Sequence, residues 1–387
     1  MNRSLQESIQ AIETELLETR HHLHQNPELS DQEEKTSAFV AQRLREIGLE
    51  PQTGIGGYGV VAEIVGSSSG RTIALRADMD ALPITEANDV PYRSCNTGVM
   101  HACGHDGHTT TLLGVARVLN QHREELAGSV RLLFQPAEET VGGAKRMCKQ
   151  GAMEGVDAVV ALHGWPQVGL GQVGIRKGAM MASADTFDIV IQGRGGHAAY
   201  PHATIDPIVI GAEVVTALQT IASREVDPND PVVVTVTQFH AGTAYNVIPG
   251  SATLCGTYRT LSSTLRDSLP ERIRRIATGI CQAHGAECKL MFREGIPPVI
   301  NDSNIVDLID RVAGEVLGSE NVITVPHSSM GAEDFAEYLA YAPGAMFRLG
   351  LGPVSPIHTP TFDFDDRAVP IGVELFSRIA LTYLEES

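Results

Sequence analysis

The stretch Gly98-Val-Met-His101-Ala-Cys103-Gly104-His105-Asp106-Gly107-His108 concentrates metal-binding chemistry. His101, Cys103 and His105 stand two apart. In an extended segment, residues i and i+2 point the same way, so this spacing aims an imidazole and a thiolate at one point. Gly104 between them removes side-chain bulk where the backbone would crowd an ion. For any single donor, a His-rich surface loop with one buried thiol explains the pattern. Five polar donors set around glycines favour a metal site. No second Cys pair stands nearby at the spacing of a structural zinc knuckle. The remaining ligands must therefore come from far away in the chain.

The elements that would hold such ligands follow an alternating order. Residues 4–25 carry a helical pattern that Asn26-Pro27 stops, and a second helix covers 33–47. His21, His22 and His24 read as a polar helix end, with no acidic or thiol partner close by. Gly54-Ile-Gly56-Gly57-Tyr-Gly59 matches a dinucleotide-binding spacing, but a helix precedes it and a strand follows. That context is the reverse of what the fingerprint needs, so the stretch is a turn. Strands are expected over 72–75, 130–134 and 157–162, separated by helices over 109–120 and 142–150. This order predicts an α/β fold with a mainly parallel sheet covered on both faces. Asp78, Glu138, Glu139 and His163 then fall just past strand carboxyl ends, the edge where open α/β sheets bind ligands. After helices at 305–317 and from 329–335, a strand over 345–349 leads into the Gly/Pro-rich loop that carries His358. A helix over 369–383 closes the chain.

Between these halves the pattern changes. A strand over 186–192, a helix over 207–224, strands over 232–239 and 252–258, a helix over 265–284 and a strand over 288–293 make β-α-β-β-α-β. That is a ferredoxin-like unit. The domain boundaries expected are 1–183 with 294–387 for the metal-binding domain, and 184–293 for an inserted domain.

With 387 residues, two domains are the natural expectation. A composition 43% hydrophobic and 20% charged fits a soluble globular chain. The formal charge of −18 argues against nucleic acid and anionic membranes as partners. The first residues lack the apolar core of a signal peptide and no apolar run nears bilayer length, so a cytoplasmic location is the default. Six irregularly spaced cysteines fit reduced thiols, with Cys281 and Cys288 as packing residues.

Cys103, His105, Glu139, His163 and His358 offer thiolate, imidazole and carboxylate donors. That mixture suits zinc and tolerates manganese, cobalt or nickel. Five donors exceed what one tetrahedral catalytic ion uses with a water. They fit two divalent ions about 3.5 Å apart that share a bridging ligand, a setting that lowers the pKa of bound water towards roughly 7. Because Glu138 and Glu139 are adjacent, one can ligate while the other takes a proton from water, a role contributing about 10²–10⁴ in rate.

The chain resembles the amidohydrolase branch (aminoacylases, hippurate hydrolases, indole-acetyl-amino-acid hydrolases) of the dinuclear-metal aminoacylase/carboxypeptidase family. The resemblance covers nearly the whole chain. Its motifs are Leu23-His-Gln-Asn-Pro-Glu-Leu29, Arg76-Ala-Asp-Met-Asp-Ala-Leu-Pro83, His101-Ala-Cys-Gly-His-Asp-Gly-His108 and Gln135-Pro-Ala-Glu-Glu139. They continue with Gly195-Gly-His-Ala-Ala-Tyr-Pro-His202, Asn246-Val-Ile-Pro249, Gly331-Ala-Glu-Asp-Phe335 and His358. The resemblance implies hydrolysis of the amide bond of N-acyl amino acids. It makes Cys103, His105, Glu139, His163 and His358 the metal ligands, with Cys103 bridging. Glu138 becomes general base and later proton donor, and Asp78 a carboxylate that orients a ligand. The inserted unit becomes a lid and homodimerisation domain whose His197 stabilises the oxyanion, whose Asn246 reaches the substrate and whose Arg259 holds a substrate carboxylate. Two rival expectations stand beside this: a carboxydipeptidase acting on unmodified peptides, and a metal-binding scaffold without catalysis. A dinucleotide-dependent oxidoreductase fails on the context of Gly54–Gly59.

Overall fold

The computed structural model describes residues 2–140 and 142–386. Two compact units emerge, one comprising the chain up to Gly178 with Ile300–His327 and the part from Asp334 onward. The other comprises Ala179–Val299 and Ser328–Glu333.

The first unit is built on an eight-stranded sheet. Its order is Gln52–Ile55, Gly59–Val65, Gly128–Gln135, Arg71–Asp78, Ala158–Trp165, Gly344–Gly350, Val173–Ile175 and Val322–Thr324. The four strands from Gly128–Gln135 to Gly344–Gly350 run parallel. They are apolar runs without alternation, and Gly344–Gly350 is buried throughout, as befits strands covered on both faces. The margins are antiparallel, where Gln52–Ile55 pairs with Gly59–Val65 and Gly59–Val65 with Gly128–Gln135. Gly56 and Gly57, both at positive φ, turn that first hairpin, so the glycine-rich stretch is indeed a turn. The three-residue strands Val173–Ile175 and Val322–Thr324 are too short to show a period in the sequence.

The helix His105–Gln121 is buried along most of its length, with Leu112, Val115, Ala116 and Leu119 fully inside the core. Each of the buried Leu and Val side chains contributes about 1.5–3 kcal/mol relative to exposure. The core thus fixes this helix, and with it the position of His105 at its start. The helix packs against the closing helix Ala368–Glu385, where Val373 fills the space that Gly114 leaves open. Two expectations need correction. The helix expected over 4–25 is two helices, Asn2–Ala11 and Glu13–Gln25, broken at Ile12. The helix expected from 329 is a run of 3-10 turns at Asp334–Ala340.

The second unit is a four-stranded antiparallel sheet in the order Val232–Ala241, Ser251–Thr260, Ala184–Gln192, Glu287–Ile296. The helices Pro207–Thr220 and Ser263–Ala283 complete the β-α-β-β-α-β order. Burial along Ser251–Thr260 alternates strictly, because only one face packs on helices. Both helices start on caps visible in the sequence. Asp206 accepts from the Ile208 N–H ahead of Pro207, and Ser262 accepts from the Leu265 N–H. Among the described residues, no helix is long and apolar enough to cross a membrane.

Candidate metal centre

Gly104 has left-handed backbone geometry (φ 88°) and turns the chain from a loop into the helix that begins at His105. Cys103 ends the loop and His105 opens the helix. Their donors converge through this turn, not through an extended segment as the spacing suggested. A Cβ at position 104 would lie 2.9 Å from Phe364, so both conformation and space select glycine. Asp78 is the last residue of Arg71–Asp78, and His163 lies inside Ala158–Trp165 instead of past its end. Glu138 and Glu139 follow a turn at Ala137 (φ 51°), whose N–H donates to Glu33 Oε1 at 2.7 Å. His358 (φ 61°) is tied to the cysteine loop by its own N–H, which donates to the Ala102 carbonyl at 2.7 Å.

These segments bring all five predicted donors together. Cys103 Sγ lies 3.5 Å from His163 Nε2 and 3.4 Å from His358 Nε2. Glu139 Oε1 lies 3.3 Å from His358 Nε2 and 3.9 Å from His105 Nε2. Cys103, His105 and His163 form one group of converging donor atoms, and Cys103, Glu139 and His358 form another. The two groups share Cys103. Glu138, buried next to Glu139, forms a further group with His105.

Backbone carbonyls set the imidazole tautomers. His105 Nδ1 donates to the Asp80 carbonyl at 2.8 Å and His163 Nδ1 to the Gly164 carbonyl at 2.8 Å. Each ring therefore presents the lone pair of Nε2 to the site. His108 is arranged the other way: its Nε2 accepts from the Gly164 N–H at 2.8 Å, so Nδ1 donates to Asp78 Oδ1 at 2.6 Å. Asp78 Oδ2 accepts from Arg76 Nη1 at 2.6 Å. Asp80 Oδ1 lies 3.2 Å from His105 Nδ1, while its Oδ2 accepts from the Glu139 N–H at 3.0 Å and from Ser30 Oγ at 2.6 Å. Asp80 and His108 thus support the site without being singled out by spacing. Both stand in quoted motifs, two residues beyond Asp78 and three beyond His105.

The donors fit divalent cations. His105 Nε2 and Glu139 Oε1 are buried without a hydrogen-bond partner, a state that costs about 1–3 kcal/mol for each such group unless a ligand engages it. Burial, with the carboxylates of Glu139, Glu138 and Asp78, pushes the Cys103 thiol well above its ordinary pKa. A thiolate there needs a cation beside it. Burial works downward on His105, but Asp78, Asp80 and Glu139 outweigh it and raise the ring to about 10, so a cation that binds there takes the place of the proton on Nε2. Burial, helped by His108, holds His163 well below its ordinary value and keeps its lone pair free.

Other histidines resolve differently. His101 is fully buried with neither ring nitrogen bonded, and among the described residues it joins none of the donor groups. His24 corrects the polar-helix-end reading. It is fully buried, its Nδ1 2.8 Å from Asp106 and its Nε2 3.1 Å from Glu86. Both acids come from distant sequence, which is why no partner is visible near it in the chain.

His197, Asn246 and Arg259 lie in the second unit. Gly196–His197 pairs antiparallel with Val247–Ile248, and the Ala198 N–H donates to the Asn246 carbonyl at 3.0 Å, so His197 and Asn246 are neighbours. Arg259 Nη1 donates to the Met330 carbonyl at 3.1 Å.

A largely parallel α/β sheet carries a Cys/His/Glu cluster that is buried at Cys103, His105 and His163 and open to solvent at His358, with a further carboxylate beside it, the setting of a metal-dependent hydrolase. The chain belongs to peptidase family M20/M25/M40, which it matches over residues 74–382. It is 49% identical over 294 residues to an N-acyl-L-amino acid amidohydrolase of Geobacillus stearothermophilus, covering 76% of this chain and 80% of that one. It is 39% identical over 388 residues to thermostable carboxypeptidase 2 of Saccharolobus solfataricus, covering 98% of each. The crystal structure of a dinuclear metal binding peptidase of the M20 family from Bacillus subtilis is similar with a TM-score of 0.87. That pair is 36% identical and covers 97% of this chain and 99% of the other. The protein is a metal-dependent hydrolase of this family.

Proposed function

We propose that the protein hydrolyses the amide bond of N-acyl amino acids, releasing a carboxylic acid and an amino acid. The observation that carries this reading is the pair of donor groups sharing Cys103, with Glu138 buried beside them. Cys103, His105 and His163 would hold one ion, and Cys103, Glu139 and His358 the other. Zinc suits these donors best, and manganese, cobalt or nickel are tolerated. Bound there, two divalent ions supply Lewis-acid polarisation of the carbonyl and lower the pKa of water towards roughly 7. Glu138 takes a proton from the attacking water and returns it to the amide nitrogen as the C–N bond breaks and the new C–O bond persists. Asp78 anchors His108, which holds the Gly164 N–H beside His163.

In this reading the first unit is the catalytic domain, and the second serves as lid and dimerisation domain. His197 would donate to the developing oxyanion, Asn246 would reach the substrate, and Arg259 would hold a substrate carboxylate. The outer strand Val232–Ala241, with Phe239 exposed, supports a homodimer formed through this unit. The carboxydipeptidase reading is supported by the names of two S. solfataricus relatives, thermostable carboxypeptidases 1 and 2. Glu138→Ala tests the mechanism: metal content should be retained and turnover should fall by about 10² or more. Unchanged turnover would remove Glu138 from the chemistry.

A further inference from the structure

Arg348 lies on Gly344–Gly350, in register with His163 of the neighbouring parallel strand. It is 9% exposed, and its Nε is buried with no hydrogen-bond partner. Among the described residues it makes no hydrogen bond and no ion pair. The two other buried arginines behave as buried cations should. Arg20 bonds Asp106, Asp363 and Asp366, and Arg76 bonds Asp78 and Asp334. The buried Nε of Arg348 therefore has a donor to spare, and the side chain rests against an aromatic face instead of a carboxylate. Its guanidinium sits 3.9 Å from the centroid of Trp165, and that ring lies 5.5 Å from the ring of His163. The charge nearby is of the same sign. Burial, together with Arg176, lowers Arg348 to about 10, so it stays cationic at neutral pH. Arg176 is held in place by donating to the carbonyls of Val325 and Pro326.

A guanidinium held over an indole, without a carboxylate partner among the described residues and one ring away from the metal centre, is a receptor for an anion. Its planar fork matches a carboxylate in two parallel hydrogen bonds. We infer that Arg348, seated on Trp165, binds a substrate carboxylate remote from the scissile amide, so that the preferred substrates are N-acyl amino acids carrying an additional acidic group. This inference rests on the N-acyl amino acid reading. The carboxylate can belong to the acyl chain or to the amino acid side chain, and the same contact serves both.

The test compares metal-loaded wild type, Arg348→Met and Arg348→Lys on N-acetyl-leucine, N-succinyl-leucine and N-acetyl-glutamate. The wild type should favour one of the two acidic substrates over N-acetyl-leucine. A preference for the succinyl compound places the carboxylate on the acyl side, and a preference for the glutamate places it on the side chain. The ratio of kcat/KM, acidic over neutral, should fall about ten- to a hundredfold in Arg348→Met, chiefly through KM. Arg348→Lys, which keeps the charge but not the fork, should recover part of the ratio and covers the case in which the methionine variant does not fold. No acidic preference in the wild type, or an equal loss on all three substrates, overturns the inference. Failure of the wild type to cleave N-acetyl-leucine or either acidic compound, with dipeptides cleaved instead, would overturn the functional reading itself.

Discussion

Asp80→Ala should weaken metal binding without removing a proposed ligand. The Asp80 carboxylate is 1% exposed and touches two ligand-bearing groups, His105 Nδ1 at 3.2 Å and the Glu139 N–H at 3.0 Å. A hydrogen bond to a charged group is worth about 1.5–3 kcal/mol. The His105 ring keeps its stronger anchor, the Asp80 backbone carbonyl at 2.8 Å, so only part of that energy reaches the metal. The net loss should be about 1.5–2.5 kcal/mol, or roughly ten- to a hundredfold in affinity, the range seen for groups that orient metal ligands. Titration with a chromophoric zinc chelator in competition would measure it, and melting of the metal-free protein would separate folding from binding. Asp80→Asn, which retains one acceptor, should lie between wild type and Asp80→Ala. Metal affinity unchanged within twofold, alongside a lowered melting temperature, would refute the orienting role and leave Asp80 a packing residue.

Two further outcomes concern stability. His24 is raised to about 9, since its hydrogen bonds to Asp106 and Glu86 outweigh the opposing burial. Its stabilisation is therefore full below its ordinary pKa of 6.5 and lost as pH rises through about 9. A shift of this size corresponds to about 3 kcal/mol at most, so the stability gap between wild type and His24→Gln should shrink steadily from pH 6 to 9.5 in denaturant melts, at about the scale given by linkage. A gap independent of pH would contradict this. Gly107→Ala would place a Cβ 2.6 Å from the Phe364 ring. It should lower stability by about 1–3 kcal/mol through overpacking, despite the better helix propensity of alanine. Combination with Phe364→Leu should restore much of the loss, and an unchanged melting temperature in the single variant would show that the cradle yields.

That Cys103, His105, Glu139, His163 and His358 come together is legible in the sequence from the density of donors at 101–108 and from the motifs of the resemblance, although His163 lies inside its strand and His358 in a distant loop. The β-α-β-β-α-β order of the second unit is legible too: its strands alternate and its helices carry Asp206-Pro207 and Ser262 as start signals. What lies beyond the sequence is whatever depends on contacts between distant segments. The partners of His24 come from positions 86 and 106, and nothing local announces them. The sequence assigns Gly104 to clearing space for an ion, yet with Gly107 and Gly164 it makes room for the ring of Phe364. The turn at Gly104 shows how a correct pairing can rest on the wrong geometry. Cys103 and His105 do converge, but a left-handed glycine brings them together at a helix start. The resemblance gives the orienting role to Asp78, and the contact of Asp80 with the ring of His105 joins distant positions that nothing local announces.

The most direct test of the central claim is amino acid release from N-acetyl, N-benzoyl and long-chain acyl amino acids, with unmodified dipeptides beside them. Protein reloaded with zinc, manganese or cobalt would be compared with the same protein held in chelator. The account predicts release from the acylated compounds that chelator abolishes and metal restores. Release from dipeptides alone, or no release from protein shown to hold two ions per chain, would contradict it.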